Sequence, residues 1–296
     1  MTAITAAMVK ELRELTGAGM MECKKALTEA GGDIDTAIDN MRKNGQAKAA
    51  KKAGRVAAEG AIVIATNSEN TVGHILEINC ETDFVARDEN FKKFALALAK
   101  CGIDTQSNEL SELMAQPMPE FDGMTAEQAR EALVVKIGEN IQVRRLGTVG
   151  SNGMVGSYLH GDRIGVLVAI DQVNAELAKD IAMHIAATNP MAIDADEVPA
   201  SVIEKEREIA SAQAKESGKP ENIIEKMVEG RIQKFIKEVC LVHQPFVKNP
   251  DQTISALLKA AGATVTAFIR FEVGEGIEKE VTDLAAEVSA TLKGSV

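Results

Sequence analysis

One pattern of elements occurs twice in this sequence, and this repeat restricts the fold more than any other feature. Residues 72–78 (VGHILEI) and 164–170 (IGVLVAI) resemble each other position by position, and both have the apolar character of a buried strand. Each is preceded by another strand-like run and followed by a helix-like run and a further strand. The predicted strands are 61–65, 72–78 and 141–145 in the first copy and 154–159, 164–170 and 265–271 in the second. Two β-β-α-β units indicate an α+β fold built on a pseudo-repeat.

The connection between the second strand and the helix differs between the two copies. It spans 13 positions in the first copy (91 minus 78) but only 7 in the second (177 minus 170). The additional residues fall in the segment 80–88 (CETDFVARD), where Phe84 lies among polar neighbours in a protein with only 8 Phe, 1 Tyr and no Trp. Because one copy closes without these residues, we predict that the longer loop is functional and that it offers Phe84 to a partner.

Residues 1–45 have the spacing of three short helices. Thr5 is placed to cap the first helix, residues 17–19 (GAG) break the chain after it, and Asp33 is placed to cap the third helix. Gly45 is predicted to end that third helix. Helices this short make a small core, so we expect this unit to lean on the rest of the chain or on a partner.

Two consecutive methionines lie at the start of the second predicted helix. Met20 shares a helix face with Cys23 and Leu27, whereas Met21 lies off that face. At least one methionine could therefore be exposed, and burial of both in the core is the alternative that spacing leaves open.

Residues 194–239 interrupt the second copy and are predicted to form an antiparallel helical hairpin. Pro199 suits a first helical turn, Val202 and Ile209 lie seven positions apart on the first helix, and residues 217–220 (SGKP) suit the turn. The return helix carries one apolar seam, made of Ile224, Val228, Ile232, Phe235 and Val239. An arm with so little core beneath it favours contact with a partner or with a second copy of the chain, and a purely structural arm is the alternative.

The charge of the chain argues against a general nucleic-acid binder. The formal net charge is −11, and such binders need a basic surface to neutralise phosphates. Residues 42–55 depart from this balance because they carry six basic side chains and no acidic one. An alanine-rich helical linker is the favoured interpretation of this stretch, and an adaptor that binds the ribosome or RNA through it is the alternative.

We find no sequence pattern that is typical of an active site, a metal site or a disulfide framework. The 4 His and 4 Cys residues are widely spaced and lack the spacings of metal ligands. Glycines at 147, 150, 153 and 156 lack the Lys-Ser/Thr ending of a phosphate-binding loop, and they are predicted to form a flexible link between the copies. The protein is therefore expected to be no enzyme and to hold no cofactor.

The sequence also bears on location. No apolar run approaches the roughly 20 residues of a membrane-spanning helix. The first residues (MTAI) lack the basic and then apolar pattern of a signal peptide. We expect a cytoplasmic protein without a membrane partner.

Four segments together resemble a known family. They are 16–27 (TGAGMMECKKAL), 79–87 (NCETDFVAR), 136–140 (KIGEN) and 268–276 (FIRFEVGEG), and they occur in the same order as in that family. The chain resembles the bacterial elongation factor Ts family, the guanine-nucleotide exchange factors of the GTPase elongation factor Tu.

This resemblance implies a division of the chain into modules. It implies a ubiquitin-associated-like three-helix domain with a basic linker, a core of two related subdomains, a coiled helical hairpin inserted in the second subdomain, and a C-terminal helical module. The corresponding boundaries are 1–55 for the first module, 56–146 for core subdomain 1, 147–193 and 241–275 for core subdomain 2, 194–240 for the hairpin, and 276–296 for the C-terminal module.

The resemblance also implies a function and a set of contact residues. Members of the family bind elongation factor Tu with GDP, displace magnesium and promote GDP release, so that GTP can bind during translation elongation. By matching of motifs, the loop that wedges into the GTPase is formed by Thr82, Asp83, Phe84 and Val85. The further partner contacts are Met20, Met21, Arg87, His160 and Gly161, together with the C-terminal helix. Self-association through the hairpin is a further expectation, and no stable nucleic-acid partner is expected.

Overall fold

The computed structural model of the chain describes residues 4–16, 18–216 and 220–278, which form a mixture of helices and small antiparallel sheets. The predicted α+β class is confirmed. The predicted C-terminal helix, Gly17 and residues 217–219 of the predicted hairpin turn lie outside the described residues. Across the described ranges, no helix is long and apolar enough to cross a membrane.

The helices are α1 (Ala6–Thr16), α2 (Met20–Glu29), α3 (Ile34–Lys52), α4 (Asp83–Ala86), α5 (Glu89–Thr105), α6 (Leu110–Ala115), α7 (Ala126–Ile137), α8 (Ala175–Thr188), α9 (Ala200–Glu216), α10 (Glu221–Val239) and α11 (Ile254–Ala261). The strands are β1 (Glu59–Thr66), β2 (Val72–Cys80), β3 (Ile141–Gly150), β4 (Met154–His160), β5 (Ile164–Ile170), β6 (Pro245–Phe246), β7 (Asn249–Thr253) and β8 (Val265–Glu272). Short 3-10 turns occur at Pro119–Phe121, Ala195–Glu197 and Leu241–His243.

Two three-stranded antiparallel sheets form the centre of the fold. The first has the order β1-β2-β3 and the second has the order β4-β5-β8, so the two strands that resemble each other in sequence, β2 and β5, are both central. Both also have a register shift near their C-terminal end, at Glu77/Ile78 in β2 and at Ala169/Ile170 in β5. The strands predicted in each copy are all present, and the small pair β6-β7 is an addition that the sequence did not predict.

The inner faces of the two sheets pack against each other. Ile62 and Ile75 from the first sheet meet Val155 and Leu167 from the second in one buried apolar cluster. The outer face of the first sheet is covered by α5, and α8 covers the outer face of the second. The central strands β2 and β5 are therefore buried on both faces, which explains why they read as continuous apolar runs rather than alternating ones.

Two glycines allow this close packing. Gly73 in β2 and Gly165 in β5 occupy matching positions in the two copies. A Cβ atom at Gly73 would lie 2.9 Å from Leu167 Cδ2, and a Cβ atom at Gly165 would lie 2.4 Å from Ile62 Cγ2. Each sheet thus receives a bulky aliphatic side chain of the other sheet at the position where it has no side chain itself.

The prediction that the glycines at 147, 150, 153 and 156 form a flexible link between the copies is wrong. Gly147 and Gly150 lie in β3, and Gly156 lies in β4. A Cβ atom at Gly147 would lie 2.8 Å from Ile269 Cδ1, and Gly156 packs directly on α8. Gly147 and Gly156 therefore lie where a strand approaches the neighbouring layer closely, and not in a loose connection.

The first three helices pack around a small core of their own, which contains Leu12, Cys23 and Leu27. The predicted caps are present, since Thr5 Oγ1 accepts a hydrogen bond from the Met8 amide at 3.3 Å and Asp33 Oδ1 accepts one from the Thr36 amide at 2.7 Å.

Helix α3 continues through Gly45 to Lys52, so the prediction that Gly45 ends this helix is wrong. Gly45 is buried against α7, where a Cβ atom would lie 3.4 Å from Val135 Cγ2. Lys52 at the end of α3 donates a hydrogen bond to the carbonyl of Gly138. The packing of α3 on α7 offsets the roughly 1 kcal/mol that glycine costs inside a helix.

The hairpin predicted in the second copy consists of α9 and α10. Val228 and Ile232 of α10 contact Ala210 and Ala214 of α9 in its seam. Ile209, which lies seven positions after Val202 on α9, is exposed. The short side chains of Ala210 and Ala214 allow the two helices to approach closely in this seam.

The fully buried carboxylate of Glu77 is the centre of a polar network on β2. It accepts hydrogen bonds from Arg144 Nη1 at 3.1 Å, from Arg145 Nε, from Asn79 Nδ2 at 3.0 Å and from the Gly274 amide at 2.8 Å. Burial acts to raise the pKa of Glu77, but the hydrogen bonds from Gly274, Asn79 and Arg145 and the charge of Arg145 outweigh it and lower this pKa. The network joins β2 and β3 to the chain that follows β8.

We expect Gly165→Ala to lower the free energy of unfolding by about 1 to 3 kcal/mol, because the added methyl group overpacks the contact between the sheets. The measurement is urea unfolding followed by circular dichroism. Gly230→Ala is the control, since Gly230 lies inside α10 with no atom within 4 Å of the added Cβ, and it should be neutral or stabilising by roughly 0.5 to 1 kcal/mol. Equal midpoints for Gly165→Ala and the parent would contradict the packing argument.

Glu77→Gln should destabilise the fold at neutral pH by about 3 kcal/mol, the lower end for a broken buried ion pair, because both arginines keep some contact with solvent. The folded pKa is lowered, so the contribution of Glu77 is present above the unfolded value of about 4.3 and is lost as the pH falls through the folded pKa. Unfolding curves between about pH 3 and pH 7 should therefore show a steeper acid loss in the parent than in Glu77→Gln. Parallel pH profiles would refute this role.

Candidate functional site

The loop that is longer in the first copy folds into a single helical turn, α4. Thr82 is its N-cap, and its hydroxyl accepts a hydrogen bond from the Val85 amide at 3.4 Å. Asp88 ends the loop by capping α5, since its Oδ1 accepts from the amides of Asn90 at 2.8 Å and Phe91 at 3.3 Å. Burial acts to raise the pKa of Asp88, but these hydrogen bonds and the charge of Lys136 lower it below its ordinary value. The loop thus contains two helix caps within seven residues, and these define where α4 and α5 begin.

The side chains of α4 point in opposite directions. Phe84 is 80% exposed, whereas its neighbours Val85 and Ala86 are buried in the core beneath the first sheet. The prediction that Phe84 is offered outward is confirmed. The turn is therefore anchored through Val85 and presents an aromatic ring to solvent.

Two residues far along the chain hold this loop in place. The Glu139 carboxylate accepts a hydrogen bond from the Thr82 amide at 3.0 Å and another from Thr82 Oγ1 at 2.8 Å. The Asn140 amide donates to Glu81 Oε1 at 2.6 Å. The sequence reasoning assigned neither residue, although both lie in the segment 136–140 that carries part of the family resemblance.

The charged groups next to Phe84 form an exposed pair. Arg87 Nη2 lies 2.9 Å from Asp83 Oδ2, and both side chains are largely accessible. Exposed pairs of this kind contribute little to stability. The ion pair between Asp83 and Arg87 can therefore break at little cost, which leaves both side chains available for other contacts.

The turn that contains His160 and Gly161 lies at the same end of the stacked sheets as α4. His160 ends β4 and is exposed, and Gly161 has a φ of 59°. The next residue, Asp162, accepts a hydrogen bond from the Ile62 amide at 2.8 Å and lies 3.8 Å from Lys92 Nζ at the start of α5. The structure thus brings a contact predicted in the second copy close to the helix that follows α4.

Both predicted methionine contacts are exposed, Met20 by 62% and Met21 by 77%. The expectation that Met20 lies on the buried face with Cys23 and Leu27 is wrong. Met20 is the first residue of α2, and side chains on a helix lean towards its N-terminus, so this one extends past the core. An open groove of about 870 Å³ runs beside Met21, between α2 and α3.

The thiol at the base of this loop is poorly suited to covalent chemistry. Cys80 lies at the base of the loop, where burial and the charges of Glu139 and Glu59 raise the pKa of its thiol to about 12. Such a thiol stays protonated near neutral pH and is a poor nucleophile. Among the described residues, no group of three or more His, Cys, Asp or Glu side chains is placed to hold a metal ion.

A family model described as elongation factor TS matches residues 81–275, which begin at the α4 loop and end in the Glu77 network. The chain belongs to the elongation factor Ts family. This match covers β3, the whole second sheet and the hairpin, and it confirms the family resemblance.

Named relatives match over nearly the whole chain. The elongation factor Ts of Alcanivorax borkumensis is 59% identical over 287 residues, which cover 97% of this chain and all of the relative. Those of Thioalkalivibrio sulfidiphilus and Methylococcus capsulatus are 56% and 57% identical, over 294 and 293 residues and 99% of both chains in each case.

The two neighbours in α4 should respond differently to truncation. Val85→Ala is expected to lower the free energy of unfolding by about 1.5 kcal/mol, from roughly 0.8 kcal/mol for each buried CH₂ group. Phe84→Ala should change it by less than about 0.5 kcal/mol, because the ring is exposed. Urea unfolding of both variants checks this, and a larger loss in Phe84→Ala than in Val85→Ala would contradict the observed orientation.

Proposed function

We infer that the chain is a guanine-nucleotide exchange factor for elongation factor Tu in translation elongation. The family membership supports this role, and the observation that carries the site assignment is Phe84, an aromatic ring held in solvent on a capped and anchored turn. An exchange factor needs no nucleophile, metal or cofactor of its own, since it acts by differential binding to states of its partner.

We propose that the Thr82–Val85 turn is the part that opens the nucleotide site. Phe84 inserts between helices of the GTPase domain, and the resulting distortion displaces magnesium and loosens the grip on GDP. Asp83 and Arg87 give up their mutual ion pair and meet groups on the partner. Val85 contributes from inside the chain, by keeping the turn fixed while the ring is inserted.

The energetics require more than the wedge. Burial of one Phe side chain contributes about 1.5 to 3 kcal/mol, and about 1.4 kcal/mol corresponds to a tenfold change in affinity, so Phe84 accounts for roughly one or two decades. By thermodynamic linkage, the factor by which the chain lowers the affinity of elongation factor Tu for GDP equals the factor by which GDP lowers its affinity for the chain. The remaining binding energy must therefore come from surfaces that do not distort the site.

Three further surfaces are proposed to supply this affinity. Met20 and Met21 offer exposed, flexible apolar side chains on α2. The turn at His160 and Gly161 offers a contact from the second copy, and the hydrogen bond from the Ile62 amide to the Asp162 carbonyl, at 2.8 Å, holds it near the first sheet. The C-terminal module, 276–296, is assigned to the partner interface by family resemblance alone.

The module boundaries are proposed on the same basis. The sheets β1-β2-β3 and β4-β5-β8 support the assignment of 56–146 and of 147–193 with 241–275 to two core subdomains. Helices α9 and α10 support an inserted hairpin at 194–240, and α1 to α3 support a first module at 1–55 that resembles a ubiquitin-associated domain. A cytoplasmic location and self-association through the hairpin belong to the same proposal.

The alternative of a ribosome or RNA adaptor is not supported. The relatives carry the name of an elongation factor, and Lys48, Lys52 and Arg55 of the basic stretch already have partners within the chain. An RNA affinity that falls with salt, found together with no effect on GDP release, would favour the adaptor.

Phe84→Ala should slow GDP release from elongation factor Tu by roughly 10- to 100-fold at saturating concentrations of the chain, and should weaken binding to nucleotide-free elongation factor Tu much less. Stopped-flow fluorescence of labelled GDP measures the release rate. Leu96→Ala is the matched control, because Leu96 on α5 is also exposed, by 61%, but lies outside the turn. If GDP is released at the parent rate with Phe84→Ala, Phe84 does not act as the wedge that opens the nucleotide site.

A further inference from the structure

We propose that Glu139 is a positioning residue that holds α4 in the orientation required for nucleotide exchange. This proposal rests on the proposed function of Phe84. Glu139 would not touch the partner, and it would act through Thr82.

Helix α4 cannot orient itself. It has four residues, far below the roughly 12 to 15 that an isolated helix needs to be stable in water. Its own N-cap bond, from the Val85 amide to Thr82 Oγ1, is long at 3.4 Å, and its ion pair between Asp83 and Arg87 lies in solvent. The orientation of the turn must therefore come from contacts with the rest of the chain.

Glu139 supplies two hydrogen bonds from outside the turn to its N-cap residue. Its two carboxylate oxygens bind the amide and the hydroxyl of Thr82, at 3.0 Å and 2.8 Å, so the residue that caps α4 is held at two points. Hydrogen bonds to an ionised acceptor are roughly twice as strong as those between neutral groups. Two bonds to one residue fix direction as well as distance, which a single bond or the burial of Val85 does not.

Glu139 is itself held by a junction of three elements. Gly138 ends α7 with a φ of 92°, a conformation that turns the chain sharply and directs Glu139 towards Thr82. Lys52 of α3 donates to the Gly138 carbonyl, and Asn140 Nδ2 donates to the Arg55 carbonyl at 2.8 Å. The segment 138–140 therefore connects the end of α3, which belongs to the helical unit that carries Met20 and Met21, to the turn that carries Phe84.

This connection gives the proposal its mechanistic content. Force on the helical unit, when its methionines engage the partner, reaches the Phe84 turn through α3 and the Gly138–Asn140 junction. If Glu139 is lost, the chain should still bind, but the ring should no longer be held against the resistance of the nucleotide site. Maximal release rate and affinity should therefore separate.

The test is the release of labelled GDP from elongation factor Tu, measured over a range of concentrations of the full chain. Glu139→Ala should lower the maximal release rate about tenfold, equivalent to about 1.4 kcal/mol, with the affinity for nucleotide-free elongation factor Tu changed less than about threefold. Glu139→Gln should restore most of the rate, because its amide can accept from the Thr82 amide and donate to Thr82 Oγ1. Glu112→Ala, an exposed carboxylate of α6, is the control and should leave the rate unchanged.

Combination with Phe84→Ala separates this proposal from the wedge hypothesis. If Glu139 acts through the ring, Glu139→Ala added to Phe84→Ala should cause no further loss. A parent-like rate with Glu139→Ala, while Phe84→Ala is slow, overturns the role of Glu139 and leaves the wedge intact. A parent-like rate with Phe84→Ala overturns both. Equal losses of rate and affinity in Glu139→Ala, without rescue by Glu139→Gln, would overturn the positioning role and leave Glu139 a purely structural residue. If Glu139→Ala does not fold, Thr82→Val takes the place of that variant in the test, because it removes the hydrogen bond from Thr82 Oγ1 to Glu139.

Discussion

The buried carboxylate of Glu77 is the interaction on which the rest of the structure depends. A charge in this position is tolerated only because two arginines, an asparagine side chain and one backbone amide surround it. Those partners belong to β2, to β3 and to the chain after β8, so the network ties the first sheet to the end of the second. The α4 turn and the His160 turn are on different sheets. Their spacing depends on this tie, and under the proposed function it is the spacing that the partner has to match.

Much of the framework was predictable because its causes are local or repetitive. The strands follow from apolar runs bounded by turn residues, and the repeat places each third strand. The exposure of Phe84 was predictable too, since this large aromatic lies in a polar link with carboxylates on both sides, and comparison of the two copies marked the loop as extra. In each case the decisive information lies within about ten residues, or in the match between residues 72–78 and 164–170.

The errors and omissions arise where distant residues decide. Gly45 would end an isolated helix, but α7 packs against it and α3 continues. Met20 fits the apolar face by spacing, but its place at the helix terminus leaves it beyond the core. The bond between Glu139 and Thr82 joins residues 57 positions apart, and no periodic pattern encodes it. The segment 136–140 carries part of the family resemblance, but only the three-dimensional contact between Glu139 and Thr82 links it to the α4 turn.

The reciprocal glycines of the two central strands have a consequence for the unity of the chain. Gly73 accommodates Leu167, and Gly165 accommodates Ile62, so the complement of each surface is found only in the other half. Neither half has a finished interior by itself, although the two resemble each other closely. The two halves therefore pack like the two different subunits of a heterodimer, each completing the interior of the other. The halves differ in their connections: after the central strand, one half carries the loop with Phe84, whereas the other has a shorter connection.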